Sequence, residues 1–216
     1  MALAAIASYA QTSKRVDANG YYNVISAPKI NIKYRAQSTQ NEDGSYTTKI
    51  YKGKKLLQTL KHETTSGEVR FIDMNFDGEV DLFVGPPAAR NYSTIYLYNK
   101  KKGNFAPSQR ELLNGYILVN DKKKNFVSMS SDGAISTYYQ LYTWKGNKLV
   151  PSEGLMVFTD PNEYTNYGVE TKYTLLNGPI DNYYSPEGVG CVRMRTNKLS
   201  KLPKQWQQII NSFDNM

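Results

Sequence analysis

Residues 71–84 read FIDMNFDGEVDLFV. Oxygen-bearing side chains stand at every second position (Asp73, Asn75, Asp77), followed by Gly78 and Asp81, with apolar runs on both sides. The pattern D-x-N-x-D-G-x-x-D is that of a calcium loop. Calcium takes about six to eight oxygens at about 2.3–2.6 Å. Asp73, Asn75 and Asp77 would supply side-chain oxygens, Gly78 the sharp turn, Glu79 its backbone carbonyl, and Asp81 a carboxylate acting directly or through water. An EF-hand would place a bidentate glutamate where Val84 stands here. The flanking runs VRFI and DLFV read as strands rather than helices. The loop, 73–84, is therefore expected to join two strands and to rivet a β scaffold around the ion. Asp81 or a distant carboxylate would complete the shell. With fewer charged ligands than an EF-hand, its affinity is expected near ~10⁻⁴–10⁻³ M.

Strand-like segments surround the loop. They are Lys29–Tyr34, Thr47–Tyr51, Val69–Ile72, Val80–Val84, Thr94–Tyr98, Tyr116–Val119, Phe126–Met129, Tyr138–Trp144, Leu155–Phe158, Tyr173–Leu176 and Val189–Met194. Asp43–Gly44 between the first two is a hairpin signal. A faint repeat places a Lys-Gly or Gly-Asn turn after an aromatic strand end at Gly53, Gly103 and Gly146, a spacing suited to propeller blades. These features predict an all-β fold, an antiparallel meander built as a propeller-like or sandwich body. Near the C-terminus the period changes. Trp206, Ile209, Ile210 and Phe213 fall on one helical face, predicting a short docked helix over 202–213, with Ser200 as its cap and Pro203 in its first turn.

The 216 residues are enough for a sizeable core without staples. Tyrosine is frequent, at 18 residues, which again favours pleated surfaces. One cysteine, Cys191, excludes an internal disulfide, and with one histidine, His62, the chain lacks the several His and Cys ligands of a zinc cluster. Flanked by Lys61 and Glu63, His62 reads as a solvated loop residue. No apolar run is long enough to span a membrane. Residues 1–10, MALAAIASYA, resemble the tail of a signal peptide, without a basic n-region, and imply export to the periplasm or beyond. An N-terminal extension, 11–28, and a single β domain, 29–216, would follow. The formal net charge of +8 comes from lysine clusters beside turn residues, where they blunt strand edges. With few arginines among them they do not suggest nucleic-acid binding. No carboxylate pair outside the loop marks an enzyme.

The stretch FIDMNFDGEVDLFV, with TIYLYNKKKGNFAPS and YYQLYTWKGNKLVPSE after it, resembles bacterial exported proteins with one calcium loop. These are related to periplasmic lysozyme inhibitors of the invertebrate-lysozyme type, and some serve as immunity proteins against secreted peptidoglycan hydrolases. The likeness covers roughly residues 29–153. It implies a compact β body, calcium held by Asp73, Asn75, Asp77, the Glu79 carbonyl and Asp81, and a secreted cell-wall hydrolase as partner. Inhibitory members carry a Ser-Gly-x-Tyr loop. The corresponding residues here are Ser131, Asp132 and Gly133, with Tyr138 further on, and Asp132 interrupts the pattern. The reading is a non-enzymatic, calcium-stabilised binding protein. The alternative is a glycan-binding module of the cell envelope, with exposed tyrosines as stacking platforms.

Overall fold

The computed structural model describes residues 16–27, 29, 31–86, 91–108, 113–132, 136–159, 171–180 and 192–215. The expected signal segment 1–10, Cys191 and Gly133 lie outside them. The fold is all-β, with antiparallel strands in three sheets and one C-terminal helix. Strands β2 (Tyr34–Gln40), β3 (Tyr46–Lys52) and β4 (Lys55–His62) form a three-stranded sheet. A second sheet runs β5 (Val69–Ile72), β6 (Asp81–Val84), β7 (Tyr92–Asn99) and β8 (Asn104–Pro107), and β9 (Leu113–Asn114) pairs with β7. The third and largest runs β10 (Tyr116–Asn120), β11 (Asn125–Asp132), β12 (Ser136–Lys145), β13 (Lys148–Thr159), β14 (Thr171–Leu176) and β15 (Val192–Thr196). The short β1 (Tyr22–Asn23) pairs with the edge of β10. Within each sheet the strands follow one another as hairpins, the meander that the turn spacing predicts.

The three hydrophobic clusters show how the sheets stack. One lies between the three-stranded sheet (Tyr34, Ile50, Leu60) and one face of the second sheet (Phe71, Leu82, Val84, Phe105). The next lies between that sheet's other face (Ile72, Phe83, Ile95, Leu97) and the large sheet (Ile117, Val119, Phe126). The last joins the large sheet's far face (Leu118, Val127, Leu141, Leu155, Leu175) to the helix α1 (Lys204–Asp214) through Trp206, Ile209, Ile210 and Phe213. The second sheet is thus an inner layer. Every residue of β5 and β6 is buried. A strand covered on both faces reads as a continuous apolar run rather than an alternating one, which is why VRFI and DLFV look as they do.

Three expectations need correction. The alternation in Lys29–Tyr34 does not mark a strand. The Asn31 side chain accepts from Lys33 N (2.8 Å) in a turn, and pairing begins only at Tyr34, opposite Lys52. Ile32 is left wholly exposed, at 101 % of its reference area. His62 is not solvated. It ends β4 at 5 % exposure, stacked on Tyr46 and bonded to Thr48 and Thr64. Ser200 is not the helix cap. It lies in a 3₁₀ turn over Leu199–Lys201, and the helix starts after Pro203, at Lys204. No side chain caps the helix start, and the Gln207 side chain donates back to the Leu202 carbonyl (2.8 Å).

Candidate metal centre

Between β5 and β6 the chain makes a tight loop, with Phe76 (φ 63°) and Gly78 (φ 86°) in the left-handed region. Nothing lies within 4 Å of a Cβ built on Gly78, so the glycine serves backbone conformation rather than space. Hydrogen bonds within the loop engage the donors expected from the sequence. Asp73 Oδ1 accepts from Asp77 N (3.1 Å) and its Oδ2 from Gly78 N (2.8 Å). Asn75 Oδ1 accepts from Asp77 N (3.2 Å), and Asn75 Nδ2 donates to Asp77 Oδ2 (3.1 Å). Asp77 Oδ1 accepts from Glu79 N (2.8 Å). Asp81 closes the loop: its Oδ2 accepts from Met74 N (3.0 Å) and Asn75 N (3.3 Å), and its Oδ1 from Tyr98 N (2.8 Å). Burial pushes the Asp81 carboxyl up to about 7, the three backbone donors oppose the shift, and the Asp77 charge adds to it.

The Glu79 side chain turns outward, to Lys33 Nζ (3.8 Å) and Lys100 Nζ (3.4 Å). Among the described residues no lysine or arginine pairs with Asp73, Asp77 or Asp81, although the chain carries a formal +8. Three carboxylates, an amide oxygen and a carbonyl are a hard, all-oxygen donor set, which suits calcium rather than zinc or copper. The cage is not preassembled. Among the described residues no three His, Cys, Asp or Glu side chains are gathered closely enough to hold an ion outright. Each carboxylate oxygen has a second lone pair beyond the one its N–H partner uses, so the donor set fits the ion after a modest inward movement. Val84 is buried in β6 and offers no side-chain oxygen.

The sequence gives no sign of the supports that the large sheet supplies. Trp144 Nε1 donates to Met74 O (2.8 Å), and Phe76, Tyr142, Trp144 and Leu149 all pack against the same buried cluster. Lys124 Nζ lies over the Phe76 ring at 4.9 Å. The Tyr22 hydroxyl donates to Asp121 Oδ1 (3.1 Å), and burial, then Asp121, then Asp73 raise its pKa. Tyr22 thus feels the charge of both Asp121 and the loop residue Asp73.

The second set of predicted residues is not gathered. Ser131 pairs with Thr137, and Ser130 with Tyr138, so alternation puts Ser131 and Tyr138 on opposite faces of the sheet. Tyr138 packs edge-on against Phe158 (6.3 Å, 85°). Asp132 ends β11 opposite Ser136. Among the described tyrosines only Tyr92 is exposed (48 %).

No protein-family model and no curated protein matches the chain. A solved structure described as "Structure of a Xanthomonas Type IV Secretion System related protein" is similar at a TM-score of 0.46 and 15 % identity, over 77 % of this chain and 94 % of that one. Likeness at that level carries no argument about activity.

Proposed function

We propose that this is a non-enzymatic, exported β protein that a calcium ion stabilises and that binds a macromolecule of the cell envelope, a secreted peptidoglycan hydrolase being the partner that the sequence resemblance favours. One observation carries the calcium reading. Asp73, Asn75, Asp77 and Asp81 stand in one hydrogen-bonded loop whose three carboxylates have no basic partner among the described residues, while the adjacent Glu79 has two. A divalent ion relieves that mutual repulsion and draws its binding free energy from the folded state alone.

The test is thermal. At calcium concentrations ten to a hundred times a Kd of ~10⁻⁴–10⁻³ M, stabilisation is about 1.5–3 kcal/mol. For a chain of this size that is a rise in Tm of about 3–10 °C. The Asp73→Ala/Asp77→Ala double variant is expected to melt at the same temperature in calcium and in chelator. A parent protein indifferent to both refutes the ion. The partner is tested separately, by muramidase assays with the purified protein added. An unchanged hydrolysis rate across lysozyme classes removes the inhibitor reading and leaves the calcium result standing.

A further inference from the structure

Lysine clusters that are far apart in sequence meet at one end of the molecule, around the acidic loop. Lys33 and Lys100 both reach Glu79. Lys52 pairs in register with Tyr34, beside Lys33, and leads into the 53–54 turn. Lys124, in the turn between β10 and β11, covers Phe76. Lys145 and Lys148 face each other directly after Trp144, which holds Met74 O. Turns 52–55, 100–102 and 121–124 carry three lysines each, Lys145 and Lys148 flank a fourth turn, and Lys33 completes the set. All twelve are exposed.

Five carboxylates share this end: Asp73, Asp77, Glu79, Asp81 and Asp121. Twelve against five leaves a surplus of seven, and the whole chain has a formal +8. The remainder of the protein is therefore close to neutral. The same end exposes two aliphatic side chains, Ile32 at 101 % and Leu56 at 47 %.

We propose that this end docks on an anionic phospholipid bilayer, with the lysines over the headgroups and Ile32 entering the interface. Lysines are compact, hydrated point charges that suit a diffuse anionic surface. Nucleic acid and other planar anions are usually met by arginine and stacking rings, whereas lysine predominates at these turns and Arg35, beside the 52–55 turn, is held on the Tyr51 ring (4.2 Å). A bare aliphatic side chain beside lysines is the pairing by which peripheral proteins combine charge attraction with shallow insertion. The surplus exists without calcium, so the docking does not rest on the ion, although a bound ion would add to it.

Vesicle flotation tests the proposal. With about 30 % phosphatidylglycerol in phosphatidylcholine, at about 0.1 M salt, the protein is expected to float, and to stay behind with phosphatidylcholine alone or at about 0.5 M salt. Each lysine near such a surface strengthens attachment roughly fivefold. The Lys100→Gln/Lys101→Gln/Lys102→Gln variant should therefore lose at least tenfold in affinity. Ile32→Ser should weaken binding severalfold with an unchanged salt dependence. As a control, Arg195→Gln/Lys198→Gln/Lys201→Gln removes three charges from the end of β15 and the turn after it, and should bind as the parent does. Three outcomes overturn the proposal: no flotation at low salt in chelator or in calcium, equal loss in the control variant, or binding to heparin or single-stranded DNA that is tighter than to vesicles and equally dependent on residues 100–102.

Discussion

His62 sits between two threonine hydroxyls, and the polarity of its hydrogen bonds can be worked out from one end. The Ser66 carbonyl can only accept, so Thr64 Oγ1 gives it its proton (2.8 Å). Thr64 then has a lone pair for His62 Nδ1 (2.8 Å), which must carry the ring proton. Burial lowers the pKa of the ring and favours its neutral form; in that form Nε2 accepts from Thr48 Oγ1 (2.8 Å), and Thr48 in turn accepts from Ser38 (2.7 Å). The sign follows. The unfolded chain binds the proton more readily, so stability is complete above the unfolded pKa near 6.5. It declines as pH falls from there toward the folded value, by at most about 1.4 kcal/mol per pH unit. Denaturant melts between pH 7 and 5 should show that decline, and His62→Gln should flatten it. Because this is the chain's one imidazole, ring ¹⁵N shifts report it without ambiguity, and an Nε2–H tautomer contradicts the assignment. Asp81 supports a second prediction. Its two oxygens accept three backbone N–H groups, and an asparagine would offer one acceptor and turn its own NH₂ toward a donor. Asp81→Asn is expected to cost about 2–4 kcal/mol in chelator, by denaturant titration, where no ion contributes.

At the scale of the element, hairpins are where the chain was most readable. Gly53, Gly103 and Gly146 do share a role. Their φ values are 59°, 64° and 59°, each is open to solvent, and each turns one hairpin in a different sheet. Alanine at Gly146 should cost only about 1 kcal/mol, for the strained backbone. Gly115 differs. Its φ is 91°, and a Cβ there would stand 2.0 Å from the Met129 carbonyl oxygen. Gly115→Ala should be destabilising enough to reduce soluble yield, with residual protein melting well below the Gly146→Ala variant. The turn between β5 and β6 and the helix were legible for the same reason, since each lies within about a dozen consecutive residues. The stretch KINIKY misled because alternation is also what an Asn-capped turn can show, and pairing partners decide which it is. His62 misled because its neighbours on the chain, Lys61 and Glu63, are not its neighbours in space. Trp144 reaches the loop from another sheet, so no local pattern could announce it.

At the scale of the whole molecule, stacking orders everything else. An inner sheet takes apolar contacts on both faces, so its two outer partners need only one apolar face each, and the lysine-bearing turns can project together at one end. That gathering was invisible in sequence, where the clusters lie up to about a hundred residues apart. It also alters the meaning of a formal +8. Like charges oppose docking only where surfaces meet, and away from the loop the protein is close to neutral. A basic hydrolase could be met by that part without repulsion, and its association rate should then depend little on ionic strength. The loop between β5 and β6 has one more consequence. It touches the large sheet through Trp144, the second sheet through Tyr98, and the segment leading into β2 through Lys33. All three sheets are pinned at this single seam. Amide deuterium uptake after Trp144→Phe should therefore quicken in β6 and β12 as one cooperative unit, while α1, packed on the far face, keeps its own slower clock.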